Sequence, residues 1–204
     1  MTPGQNLVLK TRKGGILVKI ATITSGNTLG AQYWTDGKCE APMLPENHWL
    51  RKHPTTGEMF WSNECEEVAE EDPWGEEYPD VPFAEAPTLP DYQSALAAGL
   101  GDSPKKERYL RTRAWWAAND AVRHGGANMP ATTGNGENLK ALVAMLDLRD
   151  PNQRLMAAEA RRELGAFDEC LELLRFEFPQ GYMKAVELIR RLAQERDTRV
   201  QPLG

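Results

Sequence analysis

The stretch "AEARRELGAFDECLELL", Ala158 to Leu174, decides the class of the C-terminal half of the chain. A first helix is predicted to end at Gly165, because glycine adopts the left-handed turn between two antiparallel helices without steric cost. We expect Phe167 to fill the space under that turn. We expect Cys170 to lie in the core, because a free cysteine behaves as a small apolar residue. The stretch therefore predicts a helical hairpin.

Start and stop signals around this hairpin extend the helical region over residues 91–204. Asp150 and Ser103 are predicted N-caps, each followed by a proline at the first helical position. Gln153, three residues after Asp150, predicts a capping box. The Gly-rich stretch 125–136 is expected to be a flexible loop between helices. In the helix before it we expect an apolar stripe formed by Tyr109, Leu110, Ala114, Trp116 and Ala117.

The N-terminal part has the alternation of β-strands. Ile16, Val18 and Ile20 would lie on one face of a strand with apolar residues on the other. A second candidate strand, "AQYWT", is followed by Asp36-Gly37, a pair that suits a tight turn. Short strands are predicted at Trp49–Lys52 and Met59–Trp61, on either side of the turn 53–57. The fold class is therefore α+β, with a small β-rich N-terminal domain followed by an all-α domain.

An acidic stretch separates these two parts. Residues 62–104 contain twelve Asp and Glu and no Lys or Arg. Because five prolines fall between Pro73 and Pro90, we predict an extended linker over residues 73–90, between domains at 1–72 and 91–204. Trp74, Tyr78 and Phe83 are expected to hold this linker against one domain or both.

Composition excludes several classes of protein. The chain has 204 residues and a net charge of −6, and an acidic chain is a poor nucleic-acid binder because the neutralisation of phosphates requires a basic face. No apolar run is long enough to span a membrane, and the N-terminus lacks the apolar stretch of a secretory signal. Three cysteines, an odd number, suggest no disulfide framework. We expect a protein of the reducing cytoplasm.

The hairpin stretch resembles the middle of a tetratricopeptide repeat, with its glycine, aromatic, Asp-Glu and small residue in the expected order. Two interpretations remain open: one hairpin of this type in a small helical domain, or a repeat array that binds a peptide. The segments "SGNTLGAQYWTDGK" and "RYLRTRAWWAAND" resemble a group of functionally uncharacterised bacterial proteins. That resemblance implies a zinc-ribbon-like N-terminal part, a tetratricopeptide-like C-terminal part and a bacterial source.

The segment "HPTTGEMFW", His53 to Trp61, corresponds to the knuckle of a zinc ribbon with its ligand pair broken. His53 stands at the first ligand position and Thr56, which is not a usual zinc ligand, at the second. The only four-ligand set nearby is Cys39, His48, His53 and Cys65, whose spacings lack the usual tight pairs. We therefore predict a degenerate, metal-free ribbon with a core of Trp34, Trp49, Phe60 and Trp61, and no cofactor. An unrelated turn in which the Cys and His residues are incidental is a further interpretation.

The sequence contains no combination of nucleophile, base and orienting group, so we do not expect an enzyme. The favoured function is non-enzymatic binding of a protein with a basic surface, for example as an immunity-type inhibitor of a toxin. The predicted partner-binding residues are Glu66, Glu67, Glu70, Glu71 and Trp74. The alternative is a zinc-binding regulatory or redox module that uses the region from Cys39 to Cys65.

Overall fold

The computed structural model describes residues 1–125 and 134–204, and it divides the chain into two compact units. The β unit comprises Met1–Ala31 and Glu40–Pro87, and the helical unit comprises Gln32–Cys39 and Thr88–Gly204. This division differs from the predicted one, because residues 73–87 of the predicted linker belong to the β unit. Residues 32–39 of the predicted N-terminal domain belong to the helical unit.

The described residues form six α-helices and several small antiparallel sheets, with the strands N-terminal and the helices C-terminal. This arrangement confirms the α+β class. The strands are β1 (Thr2–Pro3), β2 (Asn6–Lys10), β3 (Leu17–Ile20), β4 (Ile23–Ser25), β5 (Gln32–Tyr33), β6 (Cys39–Glu40), β7 (Leu50–Lys52), β8 (Met59–Trp61) and β9 (Glu66–Glu71).

The largest sheet of the β unit has the order β3–β2–β9 and is antiparallel throughout. β2 and β3 are rich in Leu, Val and Ile, which suit a pleated surface buried on one or both faces, whereas β9 consists mostly of glutamates. Leu9, Val18, Ile20 and Phe60 pack together as the core of this unit. The opposite face is also buried at Val8, so β2 is covered on both sides.

The hairpin of β7 and β8 encloses the predicted turn, in which Gly57 has a φ of +71°. Of the predicted aromatic core, Phe60 and Trp61 are buried. The other two members were predicted wrongly: Trp49 is 43% exposed and Trp34 belongs to the helical unit. The two predicted aromatic residues that are buried in the β unit, Phe60 and Trp61, therefore both lie on β8.

The helices are α1 (Leu89–Ala97), α2 (Pro104–Arg123), α3 (Gly136–Ala144), α4 (Pro151–Glu163), α5 (Phe167–Leu173) and α6 (Met183–Gln194). None of the helices in the described part combines the length and apolar composition that crossing a bilayer requires. Residues 126–133 of the predicted Gly-rich loop lie outside the described residues.

Two predicted N-caps are confirmed. The Ser103 hydroxyl accepts the N–H of Lys106, and the Asp150 carboxylate accepts the N–H groups of Asn152 and Gln153. The capping box at α4 is wrong, because the side-chain oxygen of Gln153 accepts the N–H of Asp147 instead. A capping box occurs at α1, between Thr88 and Asp91.

The predicted helical hairpin is confirmed as the pair α4 and α5. Gly165 has a φ of +78° at the break, Phe167 is buried and Cys170 is fully buried. In α2 the buried tryptophan is Trp115, whereas the predicted stripe contained Trp116, which is half-buried. Trp115 packs against α3 and α4 through Leu139, Leu142, Ala157 and Ala160.

The segment 32–39 pairs with the C-terminal residues within the helical unit. The N–H of Thr35 donates to the carbonyl of Gln201, and the N–H of Leu203 donates to the carbonyl of Tyr33. Gly37 has a φ of +81°, which confirms the tight turn predicted at Asp36-Gly37. These bonds make the turn part of the helical core.

Candidate functional site

The acidic segment, defined here as residues 66–80, begins as β9 at the edge of the three-stranded sheet. Within the described ranges, no strand pairs with the outer side of β9. Most carboxylates of the segment are exposed: those of Glu66, Glu67, Glu70, Asp72, Glu76, Glu77 and Asp80. The segment therefore presents a concentrated negative charge to solvent.

A β-bulge sets the direction of two of these side chains. Glu67 lies opposite Leu9 and Glu70 lies opposite Leu7, so Val68 is the extra residue in β9. Leu7 and Leu9 are two residues apart and point to the same face of the sheet. The bulge therefore places Glu67 and Glu70 on one face, although residues three apart in a regular strand point to opposite faces.

Glu71 is not part of this exposed charge, because the residue is 1% exposed and its carboxylate binds internal partners. One carboxylate oxygen lies 3.2 Å from the Lys19 ammonium, and the other accepts the N–H of Tyr78 at 2.9 Å. The hydrogen bond from Tyr78 and the charge of Lys19 lower the pKa of Glu71. Glu71 thus fastens the acidic segment to the sheet, and its carboxylate is not available to a partner.

Trp74 is 83% exposed, although it stands on an ordered turn. The backbone N–H of Trp74 donates to the Asp72 carboxylate at 3.0 Å, and the backbone N–H of Gly75 donates to the Asp72 carbonyl at 2.8 Å. The expectation that Trp74 holds the segment against a domain is therefore wrong. The buried Lys19–Glu71 pair does so, together with Phe83, whose ring lies 5.0 Å from the Lys19 ammonium.

The candidate metal ligands are placed as follows. His53 is buried, and its Nδ1 accepts the N–H groups of Thr55 and Thr56 at 3.3 and 3.2 Å. The Cys65 thiol donates to the carbonyl of Trp61, and burial raises its pKa. His48 lies 3.7 Å from the Glu46 carboxylate, and Cys39 is a half-buried free thiol of the helical unit.

Within residues 1–125 and 134–204, no three His, Cys, Asp or Glu side chains lie together in an arrangement that could hold a metal ion. In the knuckle, the Thr56 hydroxyl accepts the N–H of Glu58 at 3.2 Å. Together, His53 and Thr56 accept hydrogen bonds from three backbone N–H groups of the turn. This geometry fits a turn held by side-chain acceptors. The absence of metal stays a prediction.

Sequence reasoning missed a buried charge network in the helical unit. The Asp36 carboxylate accepts hydrogen bonds from the Arg123 guanidinium, from the Asn119 amide at 2.9 Å and from the N–H of Lys38 at 3.1 Å. Neither the Asp36 nor the Arg123 side chain is exposed. The Asp-Gly pair indicated only a turn, so nothing local showed that its carboxylate enters a core.

The same network continues along α4. The Asn119 amide also donates to Glu163 at 3.0 Å, and the Trp115 indole donates to Glu163 at 2.8 Å. Four residues earlier, Glu159 accepts from the Arg162 guanidinium at 2.7 Å, and Arg162 also donates to the carbonyl of Arg199 at 3.0 Å. All of these α4 side chains are fully buried.

Glu163 is the carboxylate of this network without its own guanidinium, since Arg123 pairs with Asp36 and Arg162 with Glu159. Burial and the neighbouring carboxylates of Glu159 and Asp36 raise the pKa of Glu163 well above its usual value. The side chains of the network are buried, so it offers no surface to a ligand.

Glu163→Gln is expected to make the protein more stable at neutral pH. A carboxyl whose pKa is raised on folding contributes its stability fully below the unfolded-state pKa and loses it as the pH rises towards the folded-state pKa. The amide has no proton to lose, so its advantage should grow from about pH 4.5 upward. Urea denaturation at several pH values measures this.

The matched control is Glu159→Gln, which should lower the free energy of unfolding because Arg162 then loses its buried counter-charge. Equal pH slopes for the wild type and the Glu163→Gln variant would show that Glu163 is not protonated in the folded protein.

A shallow cavity of about 140 Å³ lies beside the turn between α4 and α5, lined by Gly165, Ala166, Phe167, Asp168, Glu169 and Arg196. It is smaller than the roughly 300–1,000 Å³ of most small-molecule sites. The ring of Phe167 is already covered by the Arg196 guanidinium at 4.8 Å. The exposed acidic segment is therefore the more developed candidate.

Comparisons of the chain with protein-family models, with curated proteins and with solved structures find no match.

Proposed function

We propose that this protein binds a partner protein with a basic surface through the acidic segment. The observation that carries the proposal is the exposed edge strand β9 with three exposed carboxylates, Glu66, Glu67 and Glu70, followed by Trp74. The run of residues 62–104 adds no positive charge to neutralise them. Opposite charge on a partner would steer association and favour correct docking.

The internal anchoring of the segment supports the same proposal. The buried Lys19–Glu71 pair and the turn at Asp72 hold the exposed side chains on a fixed backbone. A surface that is already ordered loses less conformational entropy when a partner binds. An exposed tryptophan beside the charge supplies the aromatic contact area that dominates many protein interfaces.

A specific form of this proposal is an immunity-type inhibitor that covers the basic active site of a toxin in a bacterial cytoplasm, without catalysis of its own. The tetratricopeptide-like and ribbon-like identities remain part of the proposal. They are supported by the α4–α5 hairpin with Gly165 and Cys170, and by the turn from His53 to Gly57.

The test measures the affinity for a short, flexible peptide rich in Lys and Arg by titration calorimetry at near-physiological ionic strength. The triple variant Glu66→Lys, Glu67→Lys and Glu70→Lys is expected to bind the peptide at least about tenfold more weakly than the wild type. Its three positions are exposed, so circular dichroism should show an unchanged fold.

The matched control reverses three exposed carboxylates of the helical unit: Glu137→Lys, Glu169→Lys and Glu172→Lys. Both triple variants change the net charge equally, so the control isolates position from total charge. We expect the control to bind within about threefold of the wild type, because it leaves every carboxylate of the acidic segment in place.

A further inference from the structure

We infer that the indole ring of Trp74 is a stacking surface for an arginine side chain of the basic partner. The inference rests on the proposed function and adds the chemistry of the residue that docks there. It is carried by the exposure of the ring, by the ordered turn beneath it and by the charges around it.

The turn holds Trp74 in place while leaving its ring in solvent. The Asp72 carboxylate accepts the N–H of Trp74, and the Asp72 carbonyl accepts the N–H of Gly75 at 2.8 Å. A Cβ at Gly75 would lie 3.0 Å from the Glu71 side chain, so the turn packs closely against the end of β9. The backbone under the ring is therefore fixed by the same residue, Glu71, that is buried against Lys19.

The surroundings of the ring favour a cation. The face of an indole ring is electron-rich and attracts cations, and here Asp72, Glu76 and Glu77 add exposed negative charge close to it in the chain. In the described residues no cation covers Trp74, whereas Arg113 covers Trp116 at 5.2 Å and Arg123 covers Trp34 at 5.5 Å. A cation that covers Trp74 has to come from another molecule.

Arginine fits this position better than lysine. A guanidinium is planar and weakly hydrated, so it can stack on the ring while its edge N–H groups remain free to donate to carboxylates. A lysine ammonium is a strongly hydrated point charge and cannot make both contacts in the same way. The partner segment is therefore expected to place an arginine at Trp74 and further cations near Glu67 and Glu70.

The test measures the affinities of two peptides of equal length and charge, one with arginine and one with lysine at every cationic position. The wild type is expected to bind the arginine peptide several-fold more tightly. Trp74→Leu should remove most of that preference by weakening arginine binding, with little change for the lysine peptide. Trp74→Phe, which keeps an aromatic face, should retain part of it.

Trp49→Leu is the matched control, because Trp49 is an exposed tryptophan of the same unit, and it should leave the preference unchanged. An arginine preference that is equal in the wild type and in Trp74→Leu would overturn the inference while leaving the proposed function standing. If the triple reversal at Glu66, Glu67 and Glu70 weakens neither peptide, the proposed function and the inference fall together.

Discussion

Arg162→Ala is expected to lower the free energy of unfolding by about 3–5 kcal/mol, which is the usual cost of removing one partner of a buried ion pair. Arg162 is fully buried, and its guanidinium donates to the Glu159 carboxylate and to the carbonyls of Asp197 and Arg199. Alanine would leave a buried carboxylate without its counter-charge and two carbonyls without donors. Equilibrium denaturation in urea measures the loss.

The adjacent residue provides the control. Arg161 pairs with Glu169 at 3.2 Å, but both side chains are substantially exposed. An exposed pair contributes about 0–1 kcal/mol, so Arg161→Ala should change stability by no more than that. Similar losses for the two variants would mean that Arg162 is solvated in the folded protein, contrary to the structure.

Asp36→Ala is the second substitution with a large expected effect, again about 3–5 kcal/mol of unfolding free energy. It removes the buried counter-charge of Arg123 and leaves only the more exposed Asp120; the guanidinium remains charged because arginine does not deprotonate in proteins. It also removes the acceptor of the Asn119 amide and of the N–H of Lys38. The turn of residues 32–39 should then detach more readily from the helical core.

Asp120→Ala is the control for this substitution. Asp120 also contacts Arg123, at 2.6 Å, but its side chain is 36% exposed. Asp120 is also the partner of the Lys38 ammonium at 2.6 Å, and the Lys38 side chain is 9% exposed. Because its removal leaves the buried Asp36–Arg123 pair in place, we expect a smaller loss than that of Asp36→Ala. Hydrogen exchange of the amides of residues 32–39 should increase in Asp36→Ala and remain slow in Asp120→Ala. Equal exchange in both variants would contradict the role of Asp36.

Local patterns predicted the elements well where local physics decides them. The strand around Val18, the turn at Gly37, the N-caps Ser103 and Asp150 and the hairpin at Gly165 all depend on residues close in sequence. Glycine conformation, cap hydrogen bonds and apolar alternation act over a few residues. They can therefore be read without knowing what packs against the element.

Tertiary contacts decided the features that the sequence did not show. Trp115 and Trp116 are neighbours, and a stripe containing either is compatible with helical spacing; only packing against α3 and α4 selects Trp115. The run Glu66 to Glu71 contains several glutamates that look equivalent in sequence. Glu71 alone among them is buried, because the register of β9 opposite Asn6 brings it to Lys19.

The predicted partner-binding residues differ in their exposure. Glu66, Glu67, Glu70 and Trp74 are exposed, as a partner-binding surface requires, while Glu71 has an internal role. The bulge at Val68, which aligns Glu67 with Glu70, depends on the pairing with β2 and has no local sequence signal. The charge run was visible in the sequence, but its presentation on a strand edge and an anchored turn was not.

The ratio of peptide affinities between the two triple variants tests the central claim most directly. Both variants carry the same net charge. One has lost three carboxylates of the acidic segment, and the other has lost three carboxylates of the helical unit. We predict that reversal at Glu66, Glu67 and Glu70 weakens binding of the Lys- and Arg-rich peptide at least about threefold more than reversal at Glu137, Glu169 and Glu172. Equal weakening in the two variants would show that the peptide responds to total charge alone and would contradict a binding site on the acidic segment.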